Sequence, residues 1–328
     1  MRFRSTLGAS DADLGTSEPK RGSTSQMRRR NTVAALAALP VFMTAFADAK
    51  NHPLLEALKP SARMPALFVG HGSPMNAIED NAWRRSWQTL GAELLTGAEP
   101  PQLILCISAH WLTRGGWQIT GMAQPKTIHD FGGFPKELFD QQYPAPGAPA
   151  VARSLADDLK SPTNGQPLAV DADVWGLDHG TWSVLKPMFP LANIPVLQLS
   201  MDYRRPPAEH FALGQQLQAL RERGVLIIGS GNIVHNLRAM RPSAAANEAY
   251  EWASEFDHSV QAQIQNGHLD TLQNFQALGA VAHQAHPTYE HYLPLLYAAG
   301  AARSTDTPRF FNTGYQGAAI SMRSVIWN

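Results

Sequence analysis

Three short apolar segments of the chain each run directly into a histidine or into a turn that contains one. The segments and their histidines are residues 65–70 with His71, residues 102–109 with His110, and residues 225–230 with His235. Apolar runs of this length are typical of strands that are buried on both faces of a parallel sheet. A single histidine after a strand is as readily a turn residue bonded to the backbone as a metal ligand. The prediction therefore depends on three histidines that each follow an apolar segment. Parallel strands end at one edge, where α/β folds bind ligands, and the pattern therefore predicts a metal site at that edge.

The rest of the chain alternates helical and strand patterns. Trp83, Trp87, Leu90 and Leu94 recur at three- and four-residue spacings, which indicates one face of a helix. Similar patterns predict helices at 149–159, 207–223 and 247–264, an edge strand at 167–170, another apolar strand at 195–200, and a last strand within 317–327 that is antiparallel or at an edge. We expect residues 64–328 to form one α/β domain with a central, mostly parallel or mixed sheet flanked by helices, and a metal site at the C-terminal ends of the strands.

A glycine-rich loop at residues 127–135 carries one imidazole and two aromatic rings. His129, Phe131 and Phe134 could line a pocket for a flat substrate, or the loop could equally be a packed surface turn. We retain the three residues as substrate-binding candidates.

Two more histidines lie where helices are expected to begin. His179 follows Asp178, whose carboxylate would either orient the imidazole or cap the helix. Pro287 is predicted to lie near the first turn of a later helix, and such a helix would bring His291 toward the site.

Charge and cysteine content exclude some partners. Lys plus Arg equals Asp plus Glu at 27 each, but residues 1–63 hold ten basic and five acidic side chains, which leaves 17 basic and 22 acidic in the remainder. A mildly acidic body without a basic stripe argues against a nucleic-acid partner. The single Cys106 cannot form an internal disulfide, so cysteine usage does not identify a redox compartment.

The first 63 residues read as a leader. Residues 1–26 are polar and predict disorder, and residues 27–49 combine Arg28, Arg29 and Arg30 with an apolar run that is too short for a stable membrane span. This is the pattern of a secretory signal, and the adjacent arginines also fit a twin-arginine signal that would export a folded protein to the periplasm. The alternative is a cytoplasmic protein that retains a basic amphipathic extension.

Six motifs in the body resemble one known family. They are Gly-His-Gly-Ser-Pro at 70–74, Ser-Ala-His-Trp at 108–111, His-Asp-Phe-Gly-Gly-Phe-Pro at 129–135, Asp-His-Gly at 178–180, Gly-Asn-Ile-Val-His-Asn at 231–236 and Glu-His-Tyr-Leu-Pro-Leu at 290–295. In this order they closely resemble the 4,5-DOPA extradiol dioxygenase family, a branch of the class III extradiol ring-cleavage dioxygenases. The resemblance covers the whole body and implies an α/β fold with a mononuclear metal at its mouth.

The resemblance also implies roles for particular residues. The positions that match metal ligands are His71, His110, His235 and His291, and Glu290 would support a ligand from outside the metal shell. His235 would be either the fourth ligand of a zinc-loaded form or the proton shuttle of an iron form, and His179 is the other acid–base candidate. Fe(II) is the implied catalytic metal, and Zn(II) is the metal expected in the isolated protein.

The implied reaction is the opening of a catechol ring of the DOPA type by O2, next to the two hydroxyl groups, to a semialdehyde product. Zn(II) has no redox chemistry and could not support it. Two alternatives stay open at this point. One is a zinc hydrolase that uses a metal-bound hydroxide, and the other is a non-enzymatic metal- or ligand-binding protein on the same fold.

Overall fold

The computed structural model describes residues 58–97 and 99–328, so the predicted signal at 27–49 lies outside the described residues. The strands are β1 Ala66–Gly70, β2 Leu103–Thr113, β3 Gln118–Thr120, β4 Ala169–Asp171, β5 Val196–Asp202, β6 Val225–Gly231, β7 Pro308–Phe311, β8 Tyr315–Gln316, β9 Ile320–Ser321 and β10 Ser324–Trp327. The helices are α1 Ala82–Thr96, α2 Lys136–Phe139, α3 Pro149–Asp158, α4 His179–Met188, α5 Pro207–Gln216, α6 Glu251–Gln265, α7 Ala280–Ala285 and α8 Leu293–Ala301. Short 3₁₀ segments cover Pro74–Ala77, Gln218–Arg223, Leu237–Ala239 and Leu269–Leu278.

Eight strands form one mixed sheet in the order β4-β3-β5-β2-β6-β1-β10-β7. The four central strands β5, β2, β6 and β1 are mutually parallel, whereas β3 pairs antiparallel with β5, and β10 pairs antiparallel with β1 and β7. The predicted α/β fold with a mixed sheet is therefore confirmed. Because β2, β6 and β1 are parallel neighbours, their C-terminal ends lie side by side.

Side chains of the central strands alternate between two apolar layers, as a two-residue period requires. Phe68 and Leu105 pack in the layer that contains α3, α5, α6 and α8, while Leu67 and Ile104 pack in the layer that contains α1 and α4. Both faces of the inner strands are thus covered by helices, which explains why their sequences are continuously apolar rather than alternating.

Two elements near the C-terminus differ from the sequence-based prediction. The helix that follows His291 begins at Leu293, so Pro294, not Pro287, occupies its first turn. The segment 317–327 is split: β9 pairs with β8 in a separate two-stranded sheet, and only β10 joins the main sheet, between β1 and β7. β10 is therefore antiparallel, as one of the two predicted alternatives has it, but internal, and β7, which the sequence patterns did not reveal, forms one edge of the main sheet.

The packed part of the chain begins before residue 64. Leu58 is buried in an apolar layer, the backbone N–H of Ser61 donates to Glu222 O at 3.0 Å, and Arg63 lies 3.0 Å from Asp306. Residues 58–63, which the sequence interpretation placed in the leader, therefore contact the sheet domain. Within 58–97 and 99–328, no helix combines the length and hydropathy that a membrane crossing requires.

Candidate metal centre

Four histidines reach one edge of the sheet from four different segments. His71 directly follows β1, His110 lies inside β2, His235 lies in the loop after β6, and His291 lies two residues before α8. The backbone of His291 is held at the end of β6, because the N–H of Asn232 donates to His291 O at 2.9 Å. A Cβ on Gly231 would overlap that carbonyl oxygen, so glycine is required where the two segments meet.

Three of these imidazoles converge on a common point. His71, His110 and His291 each offer a ring nitrogen, and the three atoms all lie within 4.8 Å of one another. His71 Nε2 and His110 Nε2 are 3.3 Å apart. The ring centroids of His71, His110 and His291 lie 5.0 to 5.3 Å from one another. Such spacing suits three nitrogens that share one ion.

The Nδ1 atom of each ring faces an oxygen. His71 Nδ1 lies 3.0 Å from Ser230 Oγ, and His291 Nδ1 lies 3.2 Å from Glu290 Oε1. His110 Nδ1 lies 3.4 Å from Asp130 Oδ2. Because the Ser230 hydroxyl donates its hydrogen to Gly180 O at 2.5 Å, it can only accept from His71 Nδ1. Oxygens at Nδ1 favour the tautomer that leaves Nε2 unprotonated, which is the usual arrangement of metal-binding histidines.

Burial keeps the three imidazoles neutral. It lowers the pKa of His71, His110 and His291 well below the ordinary value, and the neighbouring histidines lower these pKa values further. A neutral imidazole is the form that binds a metal ion, so no proton has to be displaced near pH 7.

His235 lies against His291. Its ring stacks on the His291 ring with centroids 3.5 Å apart and 8° between the planes. Its ring nitrogen also groups with Glu290 Oε and a His291 nitrogen within 4.8 Å. Burial, followed by the charges of His286 and His179, lowers the pKa of His235 to about 3.

His179 approaches the cluster from the start of α4. Its ring centroid lies 3.8 Å from that of His110 and 5.8 Å from that of His71. Asp178 accepts from the N–H of Thr181 at 3.1 Å, so this carboxylate caps α4. The carboxylate that faces His179 is instead Asp130, whose Oδ1 lies 3.0 Å from His179 Nδ1 and accepts from the His179 N–H at 2.9 Å.

Asp130 is ionised at neutral pH. Its burial opposes ionisation, but the contacts with His179, including the backbone N–H, outweigh that effect and lower the pKa of Asp130 to about 2. Asp130, His110 and His179 form a second group of potential ligand atoms within 4.8 Å.

The glycine-rich loop lies beside His179. The Phe131 ring is 5.5 Å from the His179 ring, and Phe134 packs on Phe131 at 5.4 Å. His129 uses Nε2 to reach Gln141 O at 2.9 Å, and its ring lies 5.7 Å from that of Trp182. Of the three loop residues, Phe131 is therefore the one in contact with a site histidine. His129 instead binds the backbone at Gln141 and so fixes the loop.

The donor set fits a catalytic metal. Three neutral imidazoles meet at one point, the Nδ1 atom of each lies near an oxygen, and His179 and His235 contact two of these rings. Four-coordinate metal sites with three protein ligands keep a position open for water or substrate. The fold and this cluster together define a metal-dependent α/β enzyme.

Comparison with known proteins gives the family. The model of the catalytic LigB subunit of aromatic ring-opening dioxygenase matches residues 65–321. A 4,5-DOPA dioxygenase extradiol from Escherichia coli (strain K12) is 45% identical over 269 residues, which cover 81% of this chain and 95% of that protein. A protein of the same description from Beta vulgaris is 34% identical, and the aligned residues cover 78% of this chain and 94% of that protein. A crystal structure of an uncharacterized protein from Escherichia coli K12 aligns with a TM-score of 0.68 at 40% identity, and it covers 81% of this chain and 100% of that one.

The chain belongs to the family of the catalytic LigB subunit of aromatic ring-opening dioxygenases. It is an extradiol ring-cleavage dioxygenase, as its six motifs predicted, and its family implies a catalytic metal. The zinc hydrolase and the non-enzymatic binding protein receive no support from these matches.

Two oxygen-bearing side chains of the site were not singled out from the sequence. Ser230 is the last polar residue of an apolar strand, and Asp130 stands inside the His-Asp-Phe-Gly-Gly-Phe-Pro motif beside His129. The motif itself was a usable signal for Asp130. Nothing local marks Ser230, since its partners His71 and Gly180 come from other segments.

Proposed function

We propose that this enzyme opens the ring of a catechol of the DOPA class with O2, using Fe(II) held by His71, His110 and His291. The convergence of three neutral imidazoles, with Nε2 of His71 and His110 3.3 Å apart, is the observation that carries the proposal. The substrate class follows from relatives in Escherichia coli, Beta vulgaris and Mirabilis jalapa that are described as 4,5-DOPA dioxygenase extradiol.

In this reaction the bond between a hydroxylated ring carbon and its unhydroxylated neighbour breaks. The two atoms of O2 end in the product, one in the new carboxyl group and one in the new aldehyde. Bound Fe(II) supplies the one-electron chemistry that lets ground-state O2 react with the ring, which Zn(II) cannot do.

The residues around the ligands have separate tasks in this proposal. His179 turns Nδ1 to Asp130, so Nε2 is the atom that takes a proton from a catechol hydroxyl and later returns one to the product. Phe131, beside His179, offers an apolar wall for the flat ring of the substrate. Burial of His71, His179 and His291 limits the access of bulk water, which would otherwise compete for the open metal positions.

His235 is assigned to the fourth position of a zinc-loaded resting form. Its ring stacks on that of His291, and its nitrogen lies with those of Glu290 and His291. Four nitrogen ligands satisfy tetrahedral Zn(II) and close the site, whereas an iron form needs open positions for catechol and O2. The proposal therefore predicts that zinc inhibits and that iron activates.

Anaerobic reconstitution tests the function. The metal-free protein is loaded separately with Fe(II), Zn(II) or Co(II), exposed to O2, and screened against DOPA, dopamine, catechol and protocatechuate for the visible absorbance of a ring-opened semialdehyde. We expect turnover of DOPA with Fe(II) and none with Zn(II). Absence of turnover on every catechol at full iron occupancy would contradict the proposal, and so would equal activity with Zn(II).

A further inference from the structure

Asp130 lies between a proposed metal ligand and the proposed acid–base residue. Its Oδ2 is 3.4 Å from His110 Nδ1, and its Oδ1 is 3.0 Å from His179 Nδ1. Oδ1 also accepts the backbone N–H of His179 at 2.9 Å. The side chain is only 17% exposed, so it is held among these partners rather than in solvent. One carboxylate thus faces two imidazoles that point into the same cluster.

The hydrogen bond from the His179 backbone determines which oxygen of Asp130 faces which histidine. Because the N–H of His179 anchors Oδ1, the carboxylate cannot turn freely, and Oδ2 is left toward His110. Each oxygen therefore lies close to one Nδ1 atom, where the negative charge of the carboxylate favours a protonated nitrogen, although neither contact has hydrogen-bond geometry. Both imidazoles are thereby biased to carry their proton on Nδ1 and to keep Nε2 free.

A parallel connection runs from the next residue of α4. Gly180 O accepts from Ser230 Oγ at 2.5 Å, and Ser230 Oγ lies 3.0 Å from His71 Nδ1. The first two residues of α4 are therefore linked to both strand-borne ligands, His179 through Asp130 and Gly180 through Ser230. A displacement at the start of α4 would reach the metal ligands by two routes.

We infer that Asp130 is a positioning residue that sets the metal-binding tautomer of His110 and the proton-accepting tautomer of His179 together. The part that concerns His110 requires only that His110 binds the metal, and the part that concerns His179 rests on the proposed function. The geometry supplies a direct reason why a carboxylate is needed rather than an amide of the same shape.

Asparagine at position 130 would keep one oxygen and replace the other with an NH2 group. With the oxygen retained on the anchored side, the amide hydrogens would face His110 Nδ1 and clash with its N–H. His110 would then have to move its proton to Nε2, the atom that the metal requires. A catalytic histidine held in the wrong tautomer by an Asp-to-Asn change is known to lose about 10⁴ in kcat in a well-studied protease triad.

The test compares Asp130→Asn and Asp130→Ala with Asp140→Asn. Asp140 is a matched control, because it is an acidic residue ten positions along that pairs with Lys136 on the surface. The first readout is the affinity of the full metal-free chain for Zn(II) and Co(II), measured by competition with a chromophoric chelator. The second is the visible spectrum of bound Co(II), which changes when a nitrogen ligand is lost. Neither readout needs turnover, so a failure of this inference is distinguishable from a failure of the proposed function.

We expect Asp130→Asn to weaken binding of both metals by 10- to 100-fold, the usual effect of removing a partner of a metal-bound histidine, and to alter the Co(II) spectrum. Asp140→Asn should match the wild type in both readouts. Asp130→Ala leaves a gap that a small anion can enter, so formate should restore part of its Co(II) affinity while neutral formamide should not.

The inference fails if Asp130→Asn binds Co(II) with wild-type affinity and an unchanged spectrum. It also fails if formate and formamide act alike on Asp130→Ala, since the carboxylate charge would then be irrelevant. Circular dichroism and the melting temperature of the metal-free variants guard against a trivial loss of structure. If Asp130→Asn does not fold, the formate experiment on Asp130→Ala decides.

Discussion

The ring of His235 lies flat against the ring of His291, with centroids 3.5 Å apart and planes inclined by 8°. His179 instead approaches His110, at 3.8 Å between centroids and 46° between planes. The two histidines therefore contact different members of the three converging imidazoles. Their positions give each a different expected response to substitution.

His179→Gln is expected to keep full iron content and to lose about 10²- to 10⁴-fold in turnover, the usual scale of general acid–base catalysis. His235→Gln is expected to bind zinc more weakly and to retain measurable iron, because three imidazoles still suffice for an open iron site. Iron occupancy and ring-cleavage rate measured on the same preparations check both. If His179→Gln loses its metal while His235→Gln keeps metal and rate, the two roles are assigned wrongly.

His71→Ala and His110→Ala should each abolish tight metal binding. Loss of a partner beyond the metal shell already costs 10- to 100-fold, so loss of a ligand should weaken Zn(II) binding by more than about 100-fold. His258→Ala serves as the control, because His258 is exposed on α6. Metal analysis after dialysis measures the effect, and stoichiometric metal in either site variant would refute the ligand assignment.

Gly180→Ala should impair the site without replacing a proposed ligand. A Cβ at this position would overlap Ser108 Oγ and lie 2.9 Å from His110 Cδ2, so the His110 ring would have to move. Gly115→Ala is the matched control, because a Cβ there meets no atom within 4 Å. We expect a lower Co(II) affinity for Gly180→Ala alone. Equal Co(II) affinities would show that the His110 ring can move without weakening metal binding.

His210 should make the protein less stable in acid. Its ring is buried against Tyr297, and burial lowers its pKa to about 4, whereas the unfolded chain has a value near 6.5. Between these values only the unfolded state takes up the proton, so the stabilisation is complete above pH 6.5 and is lost as the pH falls toward 4. The loss is on the order of 1.4 kcal/mol per pH unit in this window.

Urea unfolding of the metal-free protein at pH 7.5, 5.5 and 4.5 measures this loss. The free energy of unfolding of His210→Asn should vary less with pH than that of the wild type, whereas His258→Asn should follow the wild type. Identical pH dependence in all three proteins would exclude the effect.

Removal of residues 1–47 should leave folding and metal binding intact, whereas removal of residues 1–63 should destabilise the domain. The difference arises because Leu58 is buried and Ser61 bonds to Glu222. Burial of one leucine contributes roughly 1.5–3 kcal/mol. Thermal unfolding of the two shortened chains and of Leu58→Ala tests this. Equal melting temperatures would mean that residues 58–63 contribute nothing.

We propose that residues 27–49 direct export to the periplasm through a twin-arginine signal. The joint replacement Arg28→Lys and Arg29→Lys should then leave the protein in the cytoplasm, because paired arginines define such signals. Cell fractionation of the wild type and the double variant provides the measurement. An uncleaved wild-type chain that stays in the cytoplasm would contradict the proposal and favour a retained extension.

The sequence predicted those parts of the site that depend on local pattern. His71, His110 and His235 follow apolar strands, and the parallel pairing of β1, β6 and β2 brings those strand ends together. The contact of Asp130 with His110 could not be predicted in this way, because it joins a loop to a strand through tertiary packing alone.

In the C-terminal region, too, the local sequence pattern did not predict tertiary contacts. The apolar pattern of residues 317–327 predicted a strand but not its neighbours, since pairing with β1 depends on residues more than 250 positions away. Pro287 and Pro294 both satisfy the preference of proline for a first helical turn, and only the packing of α8 on β6 selects the second.

The proposed ligands His71 and His291 come from nearly opposite ends of the body's sequence, although they meet in the folded structure. No fragment of the chain that could fold early contains the full ligand set, so a tightly bound ion recognises only the complete native state. An ion present at 100 times its dissociation constant then adds about 2.7 kcal/mol to the free energy of unfolding. Metal supply in the cell would therefore control how long each molecule survives proteolysis, in addition to how many molecules are active.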